Sequence, residues 1–168
     1  MKKSVVDLNL SPRVLLGPGP SAVHPRVLRM MSTPLIGYLD PEWLTLMDEE
    51  QELLRSVFLT KNAVTLPMSG TGGAGMEAAF CNFLEPGDSI LVGCNGFFSE
   101  RMCDIATRLG AKVNRLEKPY GEVFSKEEIA AGLKKTGSVK MVALVHAETS
   151  TGALQPMEAK QGGKGASR

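Results

Sequence analysis

The stretch SGTGGAGMEAAFCNFLEPGDSILVGCNGFF, Ser69 to Phe98, decides the fold class. It holds a glycine-rich turn, an apolar stripe at helical spacing (Met76, Ala79, Phe80, Phe83, Leu84), a Glu85-Pro86-Gly87-Asp88 turn and a short apolar run. That run, SILVG from Ser89 to Gly93, has no polar alternation, which marks a strand buried on both faces. Glycines are poor helix starters by propensity. They are useful where backbone N–H groups must approach a ligand at the positive end of a helix. The loop Asn95-Gly96-Phe97-Phe98 follows the strand directly, at the carboxyl edge where open α/β sheets bind ligands.

Working outward, the same alternation continues. Before the glycines, AVTLPM (Ala63 to Met68) predicts a short strand. Before that, Asp40-Pro41-Glu42 combines an N-cap, a residue suited to the first helical position and an acid at the positive end of the dipole. Trp43, Met47, Leu53, Leu54, Val57 and Phe58 then predict a long amphipathic helix to about Leu59. Further upstream, VLLGPGPS (Val14 to Ser21) carries two Gly-Pro pairs and predicts an extended path, with His24 in a loop before Pro25. Downstream, a helix through Met102, Ile105, Ala106 and Leu109 stops at Gly110, and a strand follows around Lys112 to Leu116. Ser125 and Glu128 have capping-box spacing and open another helix. Val139 to His146, VKMVALVH, predicts the strongest strand of the chain. Helices alternating with apolar strands give a three-layer α/β fold, a mostly parallel sheet with helices on both faces.

Composition narrows function by exclusion. The net charge of +1 offers no electrostatic case for nucleic acid or an anionic membrane. Cys81, Cys94 and Cys103 form no CxxC pair, which points to reduced thiols in a cytoplasmic protein instead of disulfides or a zinc site. No apolar run has the length of a signal peptide or a transmembrane helix. Residues 1–159 read as one folded region. The segment KQGGKGASR, Lys160 to Arg168, lacks large apolar side chains and reads as a polar, disordered tail.

Ser69-Gly70-Thr71-Gly72-Gly73 suits a phosphate, and Thr71 adds a hydroxyl. It is no Walker loop, because no Gly-Lys-Ser/Thr follows. A GxGxxG pattern can be forced onto Gly70, Gly72 and Gly75, but no acidic residue closes a second strand about twenty residues on. The same glycines also suit a tight turn with no ligand, and residue types alone do not choose. Phe97 or Phe98 could lie flat on a planar ring, and at least one of them is expected in the core. Thr149, Ser150 and Thr151 after the last strand suit a polar ligand or an ordinary Thr/Ser turn. His24 and His146 have no second ligand at a telling spacing, and Glu77 with Glu148 makes no convincing carboxylate pair.

GPGPSAVHPRVL, LMDEEQELLRSVF, SGTGGAGMEAA, EPGDSILVGCNG and HAETSTGALQP, in that order from about Leu15 to Pro156, resemble the class V, fold-type I aminotransferases of the alanine–glyoxylate/serine–glyoxylate group. Several motifs in register are far more specific than any one of them. The resemblance implies the N-terminal portion of a large domain binding pyridoxal 5'-phosphate. The activity it implies is transfer of an amino group from alanine or serine to glyoxylate or pyruvate, by a homodimer. It implies that Thr71, Gly72 and Gly73 bind the cofactor phosphate, that Phe98 stacks on the pyridine ring, and that Thr149 lies near the phenolic oxygen. Two positions depart from the family: Gly73 stands where some members have a larger residue, and Phe98 where tryptophan is commoner. The family's Schiff-base lysine and the Asp that pairs with the ring nitrogen fall beyond Arg168, so this chain is expected to be inactive alone. A truncated or frameshifted non-catalytic fragment and a small phosphate-binding α/β domain are the alternatives.

Overall fold

The computed structural model describes residues 10–157, and the chain divides between Ile36 and Gly37 into two compact units. In the first unit the Gly-Pro-rich stretch is irregular, as its prolines require. It leads through His24, outside the helix as expected, into α1 (Pro25–Met31), a helix that the sequence pattern does not announce. His24 supplies the cap that propensity rules overlook: its Nδ1 accepts the Arg26 N–H at 3.2 Å, with Pro25 at the first helical position.

The second unit opens with α2 (Pro41–Phe58), capped as the sequence predicts by Asp40, whose Oδ1 accepts the Glu42 N–H at 2.9 Å. It ends at Leu59, in the left-handed conformation with φ 51°. The Arg55 guanidinium then donates to the carbonyls of Asn62 (3.0 Å) and Ala63 (2.8 Å). Those bonds tie the start of AVTLPM to the helix, and the expected strand there does not form. A strand exists only through a paired neighbour, and Val64, Leu66 and Met68 stay exposed with none.

Three parallel strands make the sheet, in the order β2-β1-β3: β1 (Ser89–Cys94), β2 (Lys112–Glu117) and β3 (Met141–Ala143). α3 (Gly72–Phe83) enters β1, α4 (Phe97–Arg108) crosses from β1 to β2, and α5 (Lys126–Thr136) crosses from β2 to β3. Successive β1 side chains point to opposite faces. Ile90, Val92 and Cys94 pack with Phe80, Leu84, Cys103, Ile105 and Ala106 from α3 and α4. On the other face Leu91 lies beneath α5, where a Cβ on Gly132 would come within 3.5 Å of the Leu91 and Leu116 side chains. Helices therefore cover both faces, as expected. Complete burial of Ile90 and Val92 contributes about 1.5–3 kcal/mol each.

β3 is shorter than the predicted Val139–His146 strand. It stays in register with β1 only from Met141 to Ala143, opposite Ile90 to Val92. A small antiparallel hairpin, β4 (Ala147–Glu148) with β5 (Ala153–Leu154), then takes the chain away, and the His146 carbonyl accepts the Gln155 N–H at 2.8 Å. Gln155, buried, clamps the chain further: its Oε1 accepts the Phe124 N–H and its Nε2 donates to the Phe124 carbonyl, both at 2.8 Å. The predicted tail, 160–168, lies outside the described residues.

Cys94 and Cys103 sit 3.4 Å apart in the core as free thiols, while Cys81 is exposed. Burial, then the hydrogen bond with Cys103, pushes the Cys94 thiol up to about 12. Since the thiolate is the reactive form, alkylation at pH 8 is expected to modify Cys81 first. Cys94 and Cys103 are expected to react only in denaturant, as peptide mapping by mass spectrometry reads directly.

Two ion pairs brace the periphery, the second with a half-buried lysine. Arg115 on β2 grips Glu100 on α4 with both terminal nitrogens, at 2.5 and 3.0 Å. Lys118 pairs with Glu128 at 2.8 Å, beside the predicted capping box of Ser125 and Glu128. Hydrogen bonds from Arg115 and Lys118 hold the Glu100 and Glu128 carboxyls below their ordinary value of 4.5. A depressed folded-state pKa gives stability that is present above the unfolded value and lost as pH falls through the folded one. The melting temperature is therefore expected to drop on acidification below 4.5, and to drop less in Glu100→Gln. The difference is small, because exposed pairs contribute about 0–1 kcal/mol.

Candidate active site

The carboxyl edge of the sheet gathers two of the predicted motifs. Beyond β1, the Ser99 hydroxyl accepts the N–H groups of Asn95 (3.0 Å) and Gly96 (3.1 Å) and donates to the Gly96 carbonyl (2.7 Å). That knot starts α4 at Phe97, earlier than the sequence suggests. Phe97 is exposed and Phe98 half-buried, so neither ring is the core residue expected. The two rings meet edge to face, 5.4 Å between centroids.

The turn after β4 comes to the same place. Ser150 Oγ accepts the Phe97 N–H at 3.3 Å, and Glu148 Oε2 accepts the Phe98 N–H at 2.9 Å. Glu148 is 1% exposed, and its Oε1 also accepts the Ser150 N–H (3.1 Å) and hydroxyl (2.6 Å). The fold thus joins the Phe98 and Thr149 segments through Glu148. Thr149 itself is exposed. From sequence alone Glu148 invites comparison only with Glu77, as a carboxylate pair. Its signal was an acid just after an apolar strand, which acquires meaning only once a helix N-terminus is known to face it.

The glycine loop differs from its expected setting, for no strand precedes it. Thr71 is the N-cap of α3, and its carbonyl accepts the N–H groups of Ala74 (2.9 Å) and Gly75 (3.3 Å). Its hydroxyl makes no capping bond. The amides of Gly72 and Gly73, at the first two helical positions, have no intrahelical acceptor by geometry. Gly70 has φ 151°, a conformation that favours glycine. Arg101, one turn beyond Phe98 on α4, lays its guanidinium beside the loop: a Cβ on Gly73 would stand 3.5 Å from Arg101 Nη2 and 3.6 Å from Thr71 Oγ1. Arg101 makes no ion pair among the described residues. Nothing in the sequence had marked it; RMCDIATR reads as a solvated helix face.

Two helix N-termini therefore differ in charge state. That of α4 is filled by a carboxylate, whereas that of α3 is open and has a cation beside it. A roomier depression, about 590 Å³, lies under α5 among Phe124, Ile129, Leu133 and Leu144. Its lining is mainly apolar, and none of the predicted site residues reaches it.

Comparison with known proteins agrees with the architecture. The family model described as Aminotransferase class-V matches residues 37–161. The chain is 45% identical over 147 residues to the (S)-ureidoglycine–glyoxylate transaminase of Bacillus subtilis, covering 88% of this chain and 35% of that protein. It is 44% identical over 151 residues to the alanine–glyoxylate aminotransferase of Rattus norvegicus, covering 90% and 36%. Among solved structures, the alanine–glyoxylate aminotransferase from Nostoc sp. superposes with a TM-score of 0.86 at 52% identity, over 92% of this chain and 41% of that one. The chain thus spans well under half the length of the relatives it matches.

Proposed function

Because this chain belongs to the class-V aminotransferases, we propose that it is the N-terminal part of a large domain that holds pyridoxal 5'-phosphate for amino transfer. The observation that carries this reading is the N-terminus of α3 beside Arg101, which has no ion pair among the described residues. A phosphate dianion fits there. The amides of Gly72 and Gly73 and the Thr71 hydroxyl are donors without acceptors in the first turn, and the helix dipole favours the charge. At α4, Glu148 already occupies the corresponding position and repels a second anion.

Bound pyridoxal phosphate supplies a ring that withdraws electrons from a substrate carbon losing its proton. The chain's own residues orient that ring. Phe98, half-buried at the sheet edge, offers an aromatic face and shields one side from water. Thr149 offers a hydroxyl to the ring's polar edge. Thr71, Gly72 and Gly73 anchor the phosphate and fix where the ring lies.

Lys118, the lysine just beyond the β2 end of this edge, is engaged: its Nζ donates to the Val123 carbonyl at 2.9 Å and pairs with Glu128. Lys140 stands at the opposite end of the sheet, near Asp88 at 3.6 Å. On this reading neither of these lysines bonds the cofactor, and the chain holds it without a covalent bond. Borohydride reduction of the mixture, read by intact mass, is expected to show no dominant adduct. A stoichiometric adduct on one lysine would contradict this.

The relatives' names support alanine or (S)-ureidoglycine as donor and glyoxylate as acceptor; serine and pyruvate rest on the motif resemblance alone. Trp43, Leu44, Val57 and Phe58 leave apolar surface exposed on α2, which supports a homodimer. Three free cysteines support a cytoplasmic setting. Among the described residues no helix is long and apolar enough to cross a membrane.

A further inference from the structure

A carboxylate as buried as that of Glu148 is costly unless its lone pairs are used. Among the described residues no lysine or arginine pairs with it. Its compensation comes from the Phe98 N–H on one oxygen and from the Ser150 N–H and hydroxyl on the other, at 2.9, 3.1 and 2.6 Å. Bonds of this charge-assisted kind are roughly twice as strong as neutral ones. The chain also makes room for it. A methyl on Gly96 would overlap Cγ, Cδ and Oε2 of Glu148. Gly96 has φ 176°, extended backbone that any residue adopts, so its missing side chain serves space and not conformation.

We propose that Glu148 is the positioning residue of this site: its carboxylate, seated over Gly96, locks the start of α4 to the turn after β4 and so fixes Phe98 relative to Thr149. The effect on cofactor affinity rests on the pyridoxal phosphate reading above; the effect on backbone order does not. Glu148 touches neither cofactor nor substrate in this account. It acts through the Phe98 amide, which sets where the ring stands, and through Ser150, which neighbours Thr149. Filling the α4 N-terminus with a fixed negative charge also leaves α3 as the anion seat.

The test uses the whole ¹⁵N-labelled chain as wild type, Glu148→Gln, Gly96→Ala and Ser150→Ala. Glutamine keeps the shape but turns an NH₂ toward an N–H, while Gly96→Ala keeps the carboxylate and displaces it. Amide exchange is expected to accelerate about tenfold or more at whichever of Phe98 and Ser150 faces the new NH₂ in Glu148→Gln, and at both in Gly96→Ala, the scale of one lost charge-assisted bond. Ser150→Ala should accelerate exchange at Phe98 less. Ile90 to Cys94 should keep wild-type exchange in every variant. In titrations, pyridoxal phosphate affinity is expected to fall about tenfold in the first two variants, with inorganic phosphate affinity within about twofold of wild type, since the glycine loop is untouched. Unchanged exchange at Phe98 and Ser150 in Glu148→Gln overturns the proposal. So does a joint loss of both affinities with core protection, which marks general unfolding. If the wild type binds neither ligand, the cofactor reading fails, and the exchange data alone decide the role of Glu148.

Discussion

Gly72→Glu is expected to abolish measurable pyridoxal phosphate binding while leaving the far-UV circular dichroism of the chain unchanged. Gly72 is exposed in the first turn of α3, and a Cβ there meets no atom within 4 Å. The mutant therefore has room to fold, and glutamate near a helix N-terminus is if anything favourable. The loss comes from the ligand's side. A carboxylate then competes for the amides that would hold the phosphate and stands a few ångströms from a dianion. At an effective dielectric constant near 20, one such pair of charges costs about 4 kcal/mol at 4 Å, roughly a thousandfold in affinity. Gly72→Ala adds bulk without charge and should weaken binding far less. If Gly72→Glu binds as tightly as wild type, the glycine loop serves only the turn, and the phosphate seat is elsewhere.

The second large effect concerns association. α2 has no buried residue, and Leu53, Val57, Phe58 and Leu59 are each at least 67% exposed. β3 pairs with β1 on one side, and no strand lies on its other edge among the described residues. Val142 there is 39% exposed, beside a groove of about 370 Å³ lined by Met76, Ala79, Phe80, Met102 and Leu144. An unpaired apolar edge and an apolar helix face both recruit partners. Size-exclusion chromatography with light scattering is expected to show the 168-residue chain as an oligomer, with a broad thermal transition. Val57→Lys with Phe58→Glu should shift it toward monomer at little cost in stability, because exposed substitutions usually stay within about 0.5 kcal/mol. A clean monomer with a sharp two-state melt would instead mean that the chain closes its own core. The independent phosphate-binding domain would then be the better description.

What could be read from sequence alone was what local chemistry determines. Asp40-Pro41 set the start of α2, Ser125 with Glu128 set the start of α5, and the unalternating run SILVG marked β1 because it is buried on both faces. Pairing is a property of neighbours, and there the expectations failed. AVTLPM has strand composition but pairs with no strand, and VKMVALVH yields three paired residues before the hairpin of β4 and β5 draws the chain off. α1 was missed because its cap is a histidine, outside the usual Ser, Thr, Asp and Asn. The candidate site divided along the same line. Glycines, aromatics and hydroxyls at strand ends advertised themselves by type. Glu148 and Arg101 did not, since their importance lies in facing a helix N-terminus and a glycine loop that are distant or unremarkable in sequence.

The central claim, that Thr71, Gly72 and Gly73 seat a phosphate, is tested most directly by titrating the unmodified chain with pyridoxal phosphate and with pyridoxal. The two ligands share the ring that Phe98 would cover and differ by the dianion. Charge-assisted hydrogen bonds contribute about 1.5–3 kcal/mol each, so two of them predict roughly a hundredfold or greater preference for pyridoxal phosphate. Inorganic phosphate should compete with it, and added salt should narrow the preference. Equal affinities for the two ligands, with no competition from phosphate, would contradict the account.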